Sequence, residues 1–231
     1  MKASTVCLIP ARKGSKRIKN KNILKFDGKP MIAHSIQLAK KSKVFDEIFV
    51  STNCKKIAKI AEKYGAKVPF IRPQIISNGN ATDIDVLEHF VNFFKRKKIS
   101  INYICYIYPA NPLLKITTIK GSFKKLIKKN AQKVLTIAKY EYPIQRALSM
   151  GKKNEIKFRE PKYKNQTSQK LVNYYQDATQ LYWYNLKKIK NFKNYERFVT
   201  YGLELKNTEF VDLNNKDDFK KLKLFYKNIS K

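Results

Sequence analysis

Acidic side chains are scarce in this sequence. Seventeen Asp and Glu stand against 50 Lys and Arg in 231 residues, a formal net charge of +33 at pH 7. So few carboxylates leave the chain poorly equipped to cage a hard cation unaided. Such a surplus of positive charge would ordinarily point to nucleic acid or an anionic surface. Its make-up argues otherwise. Lysines outnumber arginines 43 to 7 and lie scattered between apolar positions, the pattern of solvated helix faces with snorkelling stems. No zinc finger, RRM or helix-turn-helix pattern accompanies them, so nonspecific attraction to polyanions is expected but a specific nucleic-acid partner is not.

Cysteine and histidine are also sparse. Cys7, Cys54 and Cys105 lie about fifty residues apart, each in or beside an apolar segment. That is no zinc spacing, and an odd number argues against a disulfide framework, so they read as core residues in a reducing compartment. His34 and His89 have no Cys or His at ligand spacing and read as packing or surface residues. Long apolar runs are missing too. None approaches the roughly 20 residues that span a bilayer, and the start, MKASTVCLIPARKG, lacks the long apolar region of a signal peptide. The expectation is a cytoplasmic protein with no membrane partner.

What is present favours a folded chain. Hydrophobic residues make up 43%, and 14 Phe and 14 Tyr recur along almost the whole length, which a disordered chain would not need. Residues 1–231 fit a single domain with a subsidiary lobe. Short β-rich runs at Ser4–Ile9, Glu47–Val50, Val68–Ile71 and Asn102–Tyr108 alternate with helical stripes. Pro30 opens one helix with Ile32, Ile36 and Ala39 on a face; Ile57, Ile60, Ala61 and Tyr64 mark a second; Ile84, Leu87, Val91 and Phe94 mark a third. This alternation predicts an α/β fold with parallel pairing and right-handed crossovers.

After Pro109 the pattern predicts a helix over Thr117–Lys129, a strand over Lys133–Tyr140 and a buried strand at QLYWYN. VTYGLEL and EFVDL read as short strands, and Lys216–Asn228 as a closing helix carrying Phe219, Leu222 and Phe225. The region 140–184, irregular between Glu141 and Tyr175, reads as an aromatic, proline-punctuated excursion from the main sheet and a natural surface for subunit contact.

In such a fold ligands sit where loops leave the carboxyl ends of strands, and the loop Ile9–Asn22 leaves the first strand there. It is not a Walker loop, since no GxxxxGK[ST] occurs, nor a dinucleotide loop, since Gly14 stands alone. Glycine still permits close backbone approach, and Arg12, Lys13, Lys16, Arg17, Lys19 and Lys21 supply charge for phosphate oxygens. A phosphate cradle and a solvated basic connector both fit these residues.

The segment IPARKGSKRIKNKNI closely resembles the opening signature of the CMP-nonulosonic acid synthetases, or acylneuraminate cytidylyltransferases. The likeness runs through FDGKPMIAHSI, FDEIFVSTN, KYGAKVPFIRP and YPANPLL, over about the first 125 residues, and resumes at YPIQRAL and YYQDATQLYWYN. The last two segments look most like the pseudaminic acid branch. The resemblance implies a three-layer, Rossmann-like nucleotidyltransferase fold of the GT-A kind, with a mainly parallel sheet and a small protruding lobe. It implies an enzyme that takes CTP and a nine-carbon acidic sugar to CMP-sugar and pyrophosphate, using magnesium, as a homodimer. Family roles then fall on Arg12 and Lys21 at the triphosphate and on Gly14, Ser15, Lys16 and Arg17 as the shape of the loop. Ala11 and Asn22 lie beside the base, and Ser77, Pro109 and Asn111 in segments that enclose the nucleotide. Gln145, Arg146, Gln176, Asp177 and Gln180 fall at the sugar, with Asp212 and Asn214 at the metal.

This chain departs from the family pattern in four places. Asn214 stands where a second aspartate is usual, Asn53 where an STD pattern has aspartate, and Thr179 where a glycine is usual. The segment IISNGNATD lacks the usual aspartates and threonine–glycine pair. Asn53, Asn214 and the altered loop after Arg72 leave open a catalytically impaired homologue, and a legionaminic or N-acylneuraminic acid cytidylyltransferase is the alternative branch.

Overall fold

The computed structural model describes residues 4–15 and 17–229. In chain order it runs β1 (Thr5–Pro10), a small hairpin of β2 (Lys25–Phe26) and β3 (Lys29–Pro30), α1 (Met31–Ser42), β4 (Glu47–Ser51), α2 (Lys55–Lys63) and α3 (Asp83–Arg96). There follow β5 (Tyr103–Ile107), α4 (Ile116–Lys128), β6 (Lys133–Lys139), β7 (Leu148–Met150), β8 (Ile156–Phe158), β9 (Tyr175–Asn185), β10 (Thr200–Leu205) and α5 (Lys216–Ile229).

Six strands form one sheet in the order β10-β6-β9-β5-β1-β4. β1 pairs parallel with β4 and β5, and β10 parallel with β6. β9 alone runs antiparallel, between β5 and β6. Its direction follows from the excursion. β6 ends at Lys139, which pairs with Tyr175 at the start of β9, so the intervening segment brings the chain back to the same end of the sheet. A strand entering there returns antiparallel and needs no crossover helix. The sheet is therefore mixed but mostly parallel; the irregular stretch ends at Tyr175, as read from sequence, and β9 occupies the last part of the 140–184 excursion.

β1 lies at the centre of the core. TVCLIP is an unbroken apolar run because both its faces are covered. Cys7 and Ile9 pack with Ile36, Ile107 and Trp183 on one face. Val6 and Leu8 pack with Phe49, Phe90, Tyr106 and Tyr182 on the other, as the two-residue period requires. Trp183 is fully buried, stacks on Phe123 and Phe45, and donates its indole N–H to Ser122 Oγ at 3.0 Å. Cys7 and Cys105 are buried core residues as expected, Cys54 is half-buried beside α2, and all three thiols are free. His34 Nε2 contacts the Phe26 carbonyl at 2.8 Å, and His89 lies edge-on to Phe70, both packing roles.

Two short strands read from sequence do not form. Val68–Ile71 makes no ladder; Lys67 and Ile71 make single bridges to Phe49 and Thr52, and Pro69 between them has no N–H to donate. EFVDL forms no strand. Its alternation reflects Val211 and Leu213 packing with Phe26, Met31 and Leu222, a cluster that ties α5 to the β2–β3 hairpin. That hairpin turns at Asp27 and Gly28, with φ of 45° and 75°, the left-handed pair that an Asp-Gly turn favours.

The β6–β10 pair leaves no room for a side chain at Gly202. A Cβ there would stand 2.3 Å from Ile137 Cδ1 and 2.9 Å from its Cγ1. Gly202→Ala is therefore expected to cost about 1–3 kcal/mol through overpacking. An unchanged urea midpoint would show that Ile137 repacks freely.

Candidate active site

The basic loop is built from the end of β1. Ala11 is buried and its N–H bonds the Ser51 carbonyl at 2.9 Å, so the loop leaves the sheet from a fixed point. Gly14 has φ +100°, and a Cβ placed there would meet nothing within 4 Å, so conformation rather than crowding requires glycine. Asn53 accepts the Lys13 N–H at 2.8 Å and thereby props the loop. Asn22, buried, donates to the Arg12 carbonyl at 3.0 Å. The Arg12 guanidinium donates to the Asn78 carbonyl at 2.8 Å, and Lys21 Nζ to the Leu213 carbonyl at 3.0 Å. The loop thus reaches both the segment before α3 and the segment before α5.

Between these elements lies a cleft of about 740 Å³. From the loop it is lined by Arg12, Ser15, Arg17, Lys21 and Asn22, and from the far segments by Pro109, Asn111, Asp212 and Asn214, all among the residues expected at the nucleotide or metal. Ala11 and Ser77 are buried behind the lining. Ser77 Oγ accepts from Arg72 Nε at 3.0 Å, and so supports a residue that does face the cleft. Lys16 lies outside the described residues.

Arg72 is 3% exposed, and its Nη1 has no partner among the described residues. Burial lowers the pKa of Lys21 and of Arg72; for Lys21 the Asp212 carboxylate opposes that effect. A desolvated guanidinium and a desolvated ammonium facing one cleft suit an anionic ligand, because opposite charges attract more strongly away from bulk water.

The residues expected at the sugar are not brought together. Gln145 is buried and donates to the Val172 carbonyl at 2.7 Å, while Arg146 is exposed on the excursion. Gln180 is buried and donates to the Glu209 carbonyl at 2.6 Å. Asp177 accepts the Tyr182 hydroxyl and the Thr179 N–H. Only Gln176 lines an open space, a second cleft of about 420 Å³ that it shares with Tyr140, Tyr142, Phe210 and Lys221. Val211 and Asp212 line both clefts, so a single short segment separates them.

Asp212 Oδ2 accepts from the Asn214 amide nitrogen at 2.8 Å, and Asn214 Oδ1 is buried without a partner among the described residues. Asp218 is occupied as a cap, accepting the Asn214 and Asn215 N–H groups at 2.8 and 2.9 Å. Asp217 and Asp218 stand in the first turn of α5, as the sequence suggests. No group of three or more His, Cys, Asp or Glu able to hold a metal occurs among the described residues. The oxygens at hand, one carboxylate and one unpaired amide, fit a hard cation that draws most of its ligands from elsewhere.

Sequence reading gave no role to Asp83, Tyr106 or Tyr108, which also line the cleft. Tyr106 donates to Asp83 Oδ1 at 2.6 Å and Tyr108 donates to Oδ2. The available signal was the capping box, in which Thr82 Oγ1 accepts the Asp85 N–H and the Asp85 side chain accepts the Thr82 N–H. It places the start of α3, and with it Asp83, at the cleft.

A basic loop at the carboxyl end of a central parallel strand, facing a cleft closed by the segments before α3 and α5, defines a nucleotidyltransferase of the Rossmann-like α/β class. The solved CMP:2-keto-3-deoxy-manno-octonic acid synthetase complexed with CTP shares this fold, with a TM-score of 0.69 over 97% of this chain and 99% of that one at 15% identity. The sequence profile of the family described as cytidylyltransferase matches residues 6–230, and this chain belongs to that family. A pseudaminic acid cytidylyltransferase of Campylobacter jejuni is 36% identical over 178 residues, 77% of either chain. A CMP-N,N'-diacetyllegionaminic acid synthase of Legionella pneumophila is 36% identical over 115 residues, 50% of either chain. The protein is accordingly an enzyme of cytidylyl transfer.

Proposed function

We propose that this enzyme condenses CTP with a nine-carbon acidic sugar, pseudaminic acid, to give CMP-sugar and pyrophosphate. The observation that carries the reading is the pair of clefts that meet at Val211 and Asp212, one basic and one aromatic and polar. CTP fits the first: Arg12, Arg17 and Lys21 face the triphosphate, and the unpaired Arg72 N–H faces an acceptor on the nucleotide. The sugar fits the second, where Tyr140, Tyr142 and Phe210 offer apolar walls, Gln176, Asn207 and the Glu141 and Asp218 carboxylates offer acceptors and donors for sugar hydroxyls, and Lys221 offers a cation for the sugar carboxylate. The choice of pseudaminic acid rests on the extent of the match to the Campylobacter enzyme.

The sugar hydroxyl attacks the α-phosphorus and pyrophosphate leaves. Negative charge grows on the phosphoryl oxygens, and cations already fixed around the cleft lower that barrier. Lys21 is held against the Leu213 carbonyl and Arg12 against the Asn78 carbonyl, so neither has to be ordered during the reaction. Magnesium is expected with CTP, neutralising phosphate charge, with Asp212 and Asn214 as its protein contacts. Incubating the protein with CTP, magnesium and a panel of pseudaminic, legionaminic and N-acylneuraminic acids tests the assignment. CMP-pseudaminic acid and pyrophosphate are expected in excess, and a preference for another acid would reassign the acceptor.

We also propose a homodimer built through the excursion. Tyr142, Leu148, Met150 and Val172 there are 82%, 54%, 68% and 72% exposed, an apolar surface suited to a second copy. Sedimentation at micromolar concentration is expected to give twice the chain mass; a monomer mass would remove this contact. Among the described residues no helix is long and apolar enough to cross a membrane.

A further inference from the structure

One cluster of titratable side chains runs from the wall of the first cleft, at Asp83, Tyr106 and Tyr108, to Tyr182 and Asp177 beyond it. Asp83, the first residue of α3, accepts from Tyr106 and Tyr108. The hydroxyls of Tyr108 and Tyr182 meet at 3.1 Å, and Tyr182 donates to Asp177 Oδ2. Asp177 Oδ1 in turn accepts the Thr179 N–H at 2.8 Å. The network of contacts therefore runs from α3 across β5 and β9 without a break. Burial, with the nearby Asp83 and Asp177 carboxylates, pushes the phenols of Tyr106, Tyr108 and Tyr182 far above their ordinary range, so they stay protonated donors at any working pH. Lys133 Nζ lies 4.5 Å from the centre of the Tyr182 ring and adds a cation to the cluster.

The network ends at an irregular turn. Thr179 has φ +48°, a left-handed conformation that a β-branched residue rarely takes, and β6 and β9 shift register between Leu135 and Ile137 opposite this point. The Asp177 carboxylate holds that turn. On one side of it Thr179 lines the first cleft; on the other Gln176 lines the second. Asp177 and Tyr182 themselves line neither.

We propose that Asp177 is a positioning residue: through Tyr182 and Thr179 it fixes the turn of β9 that stands between the two clefts, and so the alignment of the two substrates. This role differs from the sugar contact that the resemblance implies, and it rests on the two-cleft reading above. The role is that of a brace. In-line transfer between two bound substrates is sensitive to displacements of about 1 Å, which cost on the order of a hundredfold in rate. A loosened brace leaves each cleft able to bind and degrades only their alignment.

The test compares Tyr182→Phe, Asp177→Ala and the double variant in the full chain, with kcat and both KM values measured for CTP and the preferred acid. Tyr182→Phe removes one buried hydroxyl and no cleft contact. It is expected to lower kcat about tenfold with both KM values within about twofold, and Asp177→Ala to lower kcat further. The double variant should be no slower than Asp177→Ala alone. Three results would overturn the proposal: wild-type kcat in Tyr182→Phe, a rise in acceptor KM confined to Asp177→Ala, or losses that multiply in the double variant. If the wild-type chain turned over none of the acids, the acceptor reading would fall separately. The brace would then be judged by urea unfolding of the same four proteins, where a coupled loss of stability supports it and strict additivity overturns it.

Discussion

Replacing Arg12 with alanine is expected to lower kcat/KM by about 10² or more, the scale of removing one preorganised donor from a developing anion. The side chain is exposed at the mouth of the cleft and anchored by one N–H to the Asn78 carbonyl, which leaves the rest of its fork for phosphate oxygens. It contributes little to the core, so the variant should fold with stability within about 0.5 kcal/mol of wild type. Arg12→Lys keeps the charge but not the planar fork, and should fall between the two. Because the charge matters most as pyrophosphate leaves, the loss should appear mainly in kcat. Steady-state kinetics with saturating acceptor and a thermal melt decide the matter: unchanged kcat/KM would remove Arg12 from the mechanism, and a large fall in melting temperature would move the effect from catalysis to folding.

How far the site could be read from sequence depends on which contacts each residue makes. The loop residues Arg12, Ser15, Arg17, Lys21 and Asn22 were legible because they are local: they lie in one short segment that follows an apolar strand, and they meet the cleft wherever that strand ends. β1, α1 and α3 were legible for a similar reason, since a two-residue or 3.6-residue period is a property of a few neighbouring positions. The direction of β9 was not, because alternation in QLYWYN is the same whichever way the strand runs. Tyr106, Tyr108 and Tyr182 read simply as strand aromatics. That their hydroxyls converge, and that a carboxylate from the first turn of α3 meets two of them, depends on β5 and β9 being neighbours, which no local pattern records. EFVDL erred in the opposite sense: its alternation is real but is satisfied by packing against α5 and the hairpin, not by a sheet. Gln145 and Gln180 sit in the segments that resemble the family, yet their amides bond backbone carbonyls inside the fold. Residue type and position left that choice open.

The second large effect is expected at the metal. Asp212→Asn should raise the magnesium concentration for half-maximal rate by at least tenfold, the scale on which even outer-shell partners of metals act. Among the described residues Asp212 is the only carboxylate lining the cleft apart from Asp83, whose two oxygens are taken by tyrosines. A neutral amide at 212 would leave the site with dipoles alone, and the triphosphate would have to supply all the charge that attracts the cation. Asn214→Asp should act in the other direction. Its present amide nitrogen lies 2.8 Å from Asp212 Oδ2, so an aspartate would set two carboxylates side by side. Without a cation they repel, and the free protein should lose some stability. With one they hold it together, and the half-maximal concentration should fall. Calorimetry on the protein without nucleotide separates these contributions. Wild type should bind magnesium weakly, Asn214→Asp measurably tighter, and Asp212→Asn not at all. Tight binding to the wild-type protein that survives Asp212→Asn would place the metal elsewhere in the fold.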